Sequence, residues 1–273
     1  MDKNEILMLE GKCKHIRRLI IDEIGKLGVG HVGGCLSIVE ALVVLYYKVM
    51  NINPENPGME GRDRFVLSKG HAGPALYAVL ADRGYFDISE LDTLNRPETR
   101  LPSHCDMLKT RGVDMTAGSL GQGISCAVGI AKASQIKKDN AYIYAIIGDG
   151  ESQEGQVWEA ALAAAQFKLN NLIAFTDNNG MQIDGNTRDI VGVEPVGDKW
   201  KAFGWNVTVI DGHDIAAIYD AIVEAKKPTG KPTMIVLNTI KGKGVSFIEA
   251  MGAKNHSMPV SEEQRIKALE ELK

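Results

Sequence analysis

The sequence predicts an α/β fold: a doubly wound, mostly parallel sheet with helices on both faces. Short apolar runs rich in β-favouring residues, at 63–67, 141–147, 172–176, 205–210 and 233–237, alternate with segments of helical periodicity. Runs 141–147 and 172–176 are continuously apolar, as strands buried on both faces require. Polar and glycine-rich clusters follow the runs, at the strand ends where open α/β sheets bind ligands.

The 273 residues are ample for a buried core, and no stretch reads as a linker, so residues 1–273 are expected to form one domain. A net charge of −4 argues against general nucleic-acid binding. No run of about 18 apolar residues is present, so no membrane helix is expected. The charged start MDKNEILMLEGKCKHIRRLI lacks the apolar core of a signal peptide. Cys13, Cys35, Cys105 and Cys126 show no CxxC pairing, which suits reduced thiols in a cytoplasmic protein.

Taken in order, residues 3–27 carry apolar side chains three and four apart and predict a helix. Gly28 to Gly33 matches GxGxxG, but it follows a helix instead of a strand, so the dinucleotide-binding reading fails. Its glycines suit a chain passing close to a ligand, with His31 facing it. A core helix is expected over 37–49, a surface loop over 51–62 and a strand over 63–67. Ser68-Lys69-Gly70-His71 follows that strand and precedes a helix from Pro74. A short capped helix at 87–95 leads into irregular residues 96–114, which contain Leu101-Pro102-Ser103-His104. Gly118-Ser119-Leu120-Gly121-Gln122-Gly123 then opens a helix over 124–136. Helices at 195–203, 214–225 and 262–272 complete the alternation, with Lys241-Gly242-Lys243-Gly244 and His256 in the connections.

The centre of the chain is 141–183, read as strand, crossover helix (153–167) and strand. Asp149, within Gly148-Asp149-Gly150, and Asn179, closing Asp177-Asn178-Asn179, leave the two strand ends as hard oxygen ligands suited to a divalent cation. The glycines allow close backbone approach, and the helix start offers free N–H groups to an anion. A magnesium ion holding a diphosphate fits this combination. An Asp in a glycine turn and an Asn pair in a loop, with no ligand, is the plainer alternative.

GDG followed by NN at this spacing resembles the thiamine diphosphate motif. The whole set, in order, is similar to the N-terminal half of a transketolase: Gly30-His31-Val32-Gly33, Ser68 to His71, Leu101 to His104, Gly118 to Gly123, GDG with Glu154, NN with Ile183-Asp184-Gly185, and Lys241 to Gly244. The resemblance implies thiamine diphosphate and Mg2+ as cofactors, with Ca2+ or Mn2+ able to substitute. It implies metal binding by the Asp149 and Asn179 side chains and the Met181 carbonyl, and contact of Gly150 with the diphosphate. Gly118, Ser119 and Leu120 would line the aminopyrimidine side, and Glu154 would sit between active-site halves. His31 and His256 would lie near the diphosphate and acceptor sugar, His71 near the thiazolium and His104 near the donor hydroxyl. Imidazoles suit such donation and proton transfer near neutral pH. His15 and His213 match nothing in the pattern and are read as structural.

Val32 replaces the usual Pro of GHPG, Ser103 replaces the Gly before His104, and Asn255 precedes His256 where a Trp is frequent. Full transketolases also carry a pyrimidine-binding domain, which supplies an activating glutamate, and a C-terminal domain. The expectation is therefore one subunit of a split transketolase, working with a separate subunit that carries both, in an α2β2 assembly on sugar or sugar-phosphate substrates. Half of a deoxyxylulose-phosphate synthase, the alpha subunit of a 2-oxo-acid dehydrogenase, and a non-catalytic scaffold are the rival readings.

Overall fold

The computed structural model describes residues 1–183 and 185–273; Asp184, part of one motif above, lies outside them. The central sheet has five parallel strands: β2 (Arg64–Leu67), β3 (Ile143–Gly148), β4 (Leu172–Asn178), β7 (Asn206–Asp211) and β8 (Thr233–Asn238), in the order β2-β3-β4-β8-β7. Two short antiparallel ladders flank it: β1 (Val29–Gly30) with β9 (Met258–Pro259), and β5 (Met181–Gln182) with β6 (Gly185–Asn186).

Side chains alternate across the sheet with the strand period of two. Phe65, Leu67, Tyr144, Ile146, Ile173, Phe175, Ile235 and Leu237 enter one core, shared with α1 (Lys3–Leu27), α2 (Val32–Leu36), α3 (Val39–Val44), α4 (Gly73–Asp82) and α9 (Ile215–Ala225). Val66, Ile143, Ala145, Ile147, Leu172, Ala174, Met234 and Val236 enter the other, under α5 (Gln122–Lys137), α6 (Gly155–Gln166) and α8 (Val196–Ala202). Helices thus cover both faces, as the continuously apolar runs require.

Helix α1 matches its expected span, fixed by an Asp2–Glu5 capping box and by Gly28 in the left-handed region (φ 89°). The helix expected at 37–49 is present from Val39 to Val49, in two parts. Helical structure begins earlier, in α2, and breaks at Ile38; α3 then gives way to a π-turn over Leu45–Val49. Its β-branched run is a weak helix former, and the burial of residues 37–46, which periodicity does not report, decides the path. The 87–95 segment is a 3-10 turn, Ile88–Thr93, closed by the Asp87 carboxylate on the Ser89 amide. Short elements α7 (Thr187–Ile190) and α10 (Ser246–Ala250), and both ladders, carry too few residues for a periodic signal.

Register aligns the sheet's carboxyl edge. Gly148 pairs with Asp177, and Asp177 with Leu237, so β3, β4 and β8 end almost level. β2 pairs through Leu67 with Ile146 and releases Ser68 and Lys69 at the same edge.

Candidate active site

A cavity of about 320 Å3 opens at that edge. Its wall includes His31, His71, His104 and His256, Gly118 and Leu120, Asp149, Gly150 and Glu154, and Asn179 and Met181. Every site residue singled out from the sequence therefore converges here except Ser119. Ser119 is exposed and lies outside the wall, because the 118–121 turn presents Gly118 and Leu120 on the cavity side.

The Asp149 carboxylate sits between the two strand ends. Oδ1 accepts from the Gly150 N–H (2.7 Å) and Oδ2 from the Gly180 N–H. The Gly148 N–H donates to Glu151 Oε2 (3.1 Å). The Gly148 and Gly150 amides are thus occupied by neighbouring carboxylates. Burial, with the charge of Asp177 beside it, pushes the Asp149 carboxyl up to about 6. An acid raised this way favours a nearby cation.

Asp177, 0% exposed, joins four elements. Its Oδ2 receives Lys69 Nζ, Ser37 Oγ (2.7 Å) and Asn179 Nδ2 (3.0 Å), while Oδ1 receives Thr239 Oγ1. Burial opposes ionisation, but the Lys69 ammonium and the hydroxyl donors hold this carboxyl below the usual carboxylate range. The bond from Asn179 Nδ2 also fixes the amide, so that Oδ1, which accepts from the Met181 N–H (3.1 Å), keeps one lone pair as its ligand site. Removing one partner of a buried pair costs about 3–5 kcal/mol. Asp177→Ala is therefore expected to lower Tm by about 10 °C, at about 2–4 °C per kcal/mol for a large domain. A shift below about 3 °C in scanning calorimetry would show that the pair is dispensable.

The opposite wall is cationic. Lys241 is buried and, with Lys69 nearby, pushed down to about 8. His256, 3.0 Å from Lys241 Nζ through Nδ1, is lowered to about 3 by burial and then by Lys241. His31 and His71 are lowered by burial and by neighbouring positive charge, and His104 by burial. The His31 ring centre lies 5.4 Å from His71, 5.7 Å from His104 and 5.4 Å from His256. All four imidazoles are thus neutral at neutral pH, and the crowding that lowers them is relieved by an anion.

Two glycines shape the wall. A Cβ on Gly70 would strike the Ala117 carbonyl and come 2.9 Å from the Gly118 amide, so only glycine lets the 68–71 and 117–118 loops touch. A Cβ on Gly118 would meet nothing nearer than the His104 ring at 3.7 Å, so its face is open to a ligand. A wall that favours a cation, facing one that favours an anion, fits a metal-bound diphosphate. Asp149, Asn179 Oδ1 and the Met181 carbonyl suit a hard cation, with no soft ligand among them.

A family model for the transketolase thiamine diphosphate-binding domain matches residues 10–272. The chain belongs to the transketolase family. It is 60% identical over 264 residues to a 6-deoxy-6-sulfo-D-fructose transketolase subunit of a Clostridium species (strain MSTE9), covering 97% of this chain and 96% of that one. It is 42% identical to one subunit of the apulose-4-phosphate transketolase of Actinobacillus succinogenes, over 97% and 96% of the two chains. The transketolase of Campylobacter jejuni superposes with a TM-score of 0.92 at 34% identity, covering all of this chain and 43% of that one. That of Leishmania mexicana gives 0.91 at 33%, over 97% and 41%. The chain thus spans about two-fifths of these solved transketolases and nearly all of its subunit relatives. It is a transketolase subunit of the N-terminal, thiamine diphosphate-binding kind.

This transketolase subunit draws on further residues to which the sequence reading gave no role. Lys69 and Lys241 stood inside the quoted motifs, and Glu151 and Asp177 beside them; all four are buried. The available signal was an Asp ending an apolar strand, since such a carboxylate cannot be buried without a cation. Glu151 accepts from Ser68 Oγ and the Gly121 N–H, tying the β2, β3 and 118–121 loops together. The structural reading of His15 agrees with its contact to Asp82, while His213 is bonded into the Lys241 loop.

Proposed function

We propose that this subunit binds thiamine diphosphate with a divalent metal at Asp149, Asn179 and the Met181 carbonyl, and serves ketol transfer from a sulfonated ketose to an aldose. The observation that carries the substrate class is the 60% identity, over nearly the whole of both chains, to a 6-deoxy-6-sulfo-D-fructose transketolase subunit. The cofactor supplies the nucleophilic carbon and the electron sink for breaking the bond between the ketol unit and the rest of the sugar. The chain's own share is positioning and proton handling. Asp149 and Asn179 hold the metal, and Lys241 and His256 lie where a diphosphate neutralises the cationic wall. His31, His71 and His104 surround the remaining space as neutral imidazoles that donate to sugar hydroxyls and take or return a proton.

A separate subunit completes the site. It is expected to bring the pyrimidine-binding and C-terminal domains, in an α2β2 assembly. Glu154 suits that boundary, being exposed at the cavity mouth with no capping bond from its carboxylate. The apulose-4-phosphate relative supports a second reading, a phosphorylated ketose donor.

The test is a competition assay with the reconstituted two-chain enzyme. 6-Deoxy-6-sulfo-D-fructose is expected to exceed fructose 6-phosphate and apulose 4-phosphate in kcat/KM by about tenfold or more, a difference of about 1.4 kcal/mol. Preference for either phosphate would transfer the proposal to that donor. No ketol transfer from any donor would end it.

A further inference from the structure

One buried cation of the site, Lys241, is held from several sides. Its carbonyl accepts from Asn255 Nδ2 (3.1 Å), which also donates to the Ile248 carbonyl (2.9 Å). The amide just before it, Ile240 N–H, donates to His213 Nε2 (2.8 Å). His213 Nδ1 in turn contacts Glu40 Oε2 (3.1 Å), and Glu40 is clamped by Arg17 Nη2 (2.7 and 2.8 Å). Arg17 Nε closes the loop onto the Lys243 carbonyl (2.9 Å). Residues 240, 241 and 243 are thus pinned by groups outside the cavity, and of the three only Lys241 belongs to the cavity wall.

That side chain ends 3.0 Å from Nδ1 of His256. An ammonium has donors only, so the contact runs from Nζ–H to the Nδ1 lone pair. A neutral imidazole whose Nδ1 accepts must carry its proton on Nε2. The same logic, reversed, applies to His213: its Nε2 accepts from an amide, so its Nδ1 carries the proton toward Glu40. Asn255 adjoins His256 and bonds to Lys241, so lysine and histidine are tied through the backbone as well as through side chains.

We propose that Lys241 is a positioning residue that fixes His256 in its Nε2–H tautomer, so that this imidazole offers the cavity a hydrogen-bond donor and never a lone pair. Its benefit to a ligand rests on the transketolase reading; the tautomer itself does not. A donor suits phosphoryl and sugar oxygens, whereas the other tautomer would turn a lone pair toward them. Asn255, which departs from the family pattern at this position, secures the arrangement by anchoring the lysine's backbone.

The tautomer is read on the full chain. In long-range proton–nitrogen NMR spectra at pH 7, with His256→Gln assigning the signals, His256 is expected to show a protonated Nε2 and a bare Nδ1. Lys241→Met is expected to convert this to a mixture or to Nδ1–H, and Lys241→Arg to restore it. In calorimetry with Mg2+, thiamine diphosphate is expected to bind Lys241→Met about tenfold or more weakly, the loss of one charge-assisted bond. A wild-type His256 protonated on Nδ1, or an unchanged pattern in Lys241→Met, would overturn the proposal. Failure of the ketol-transfer assay would leave the NMR result standing and would count against the function alone.

Discussion

Asp149→Ala is expected to abolish metal-dependent binding of thiamine diphosphate, weakening it by more than about 100-fold. Even the outer partners of a metal ligand are worth about 10–100-fold in affinity. The two oxygens of Asp149 are also fixed by amides from both strand ends, Gly150 and Gly180. Calorimetry with Mg2+ reads the loss, and retained tight binding would remove Asp149 from the metal site. The same group sets a pH dependence. Its carboxyl stands at about 6 in the folded chain against a reference of 3.8, so the folded state favours the protonated form. Its contribution to folding is fully present below about pH 3.8 and is lost as pH rises through about 6. A metal needs the ionised form, so binding of Mn2+ alone is expected to fall about tenfold per unit below that pH. Electron paramagnetic resonance titrations at pH 5 and 7 measure it. Equal affinity at both would contradict the shift.

The purified chain alone is expected to bind thiamine diphosphate weakly and to transfer no ketol unit, and to gain full turnover when the second subunit is supplied. The cavity's metal and anion walls are present, but its mouth is open. His104, Gly118 and Glu154 are exposed there, and Ile183, part of the cavity wall, is 66% exposed. Half a cofactor held by half a site gains only part of the binding energy and none of the transition-state positioning. A coupled assay of the chain with and without its partner gives the answer, and turnover without the partner would sink the two-chain reading.

How far the sequence reached differs from element to element. Helix α1 was legible to its last residue because its capping box, apolar period and terminal glycine all agree. The five sheet strands were legible because runs such as 143–147 satisfy two cores at once. The 37–49 segment was legible as a helix but not in its change to a π-turn at Leu45, since β-branched residues buried on every side follow packing and not local preference. In the site, glycines and histidines at strand ends announced themselves by position. Ser119 shows the converse: motif membership does not say which way a turn faces.

The sequence by itself determined the α/β class, the sheet edge where the candidate site residues gather and the family, because strand period, glycine placement and motif order are local properties. Only the tertiary structure decided how charges are shared. Lys69 with Asp177, Lys241 with His256, and Glu40 with His213 are separated along the chain, and nothing local couples them. The sheet register and the loops beyond it bring each pair within hydrogen-bond distance. There burial makes an unpaired charge costly, and that cost fixes which group accepts, which donates and which stays neutral.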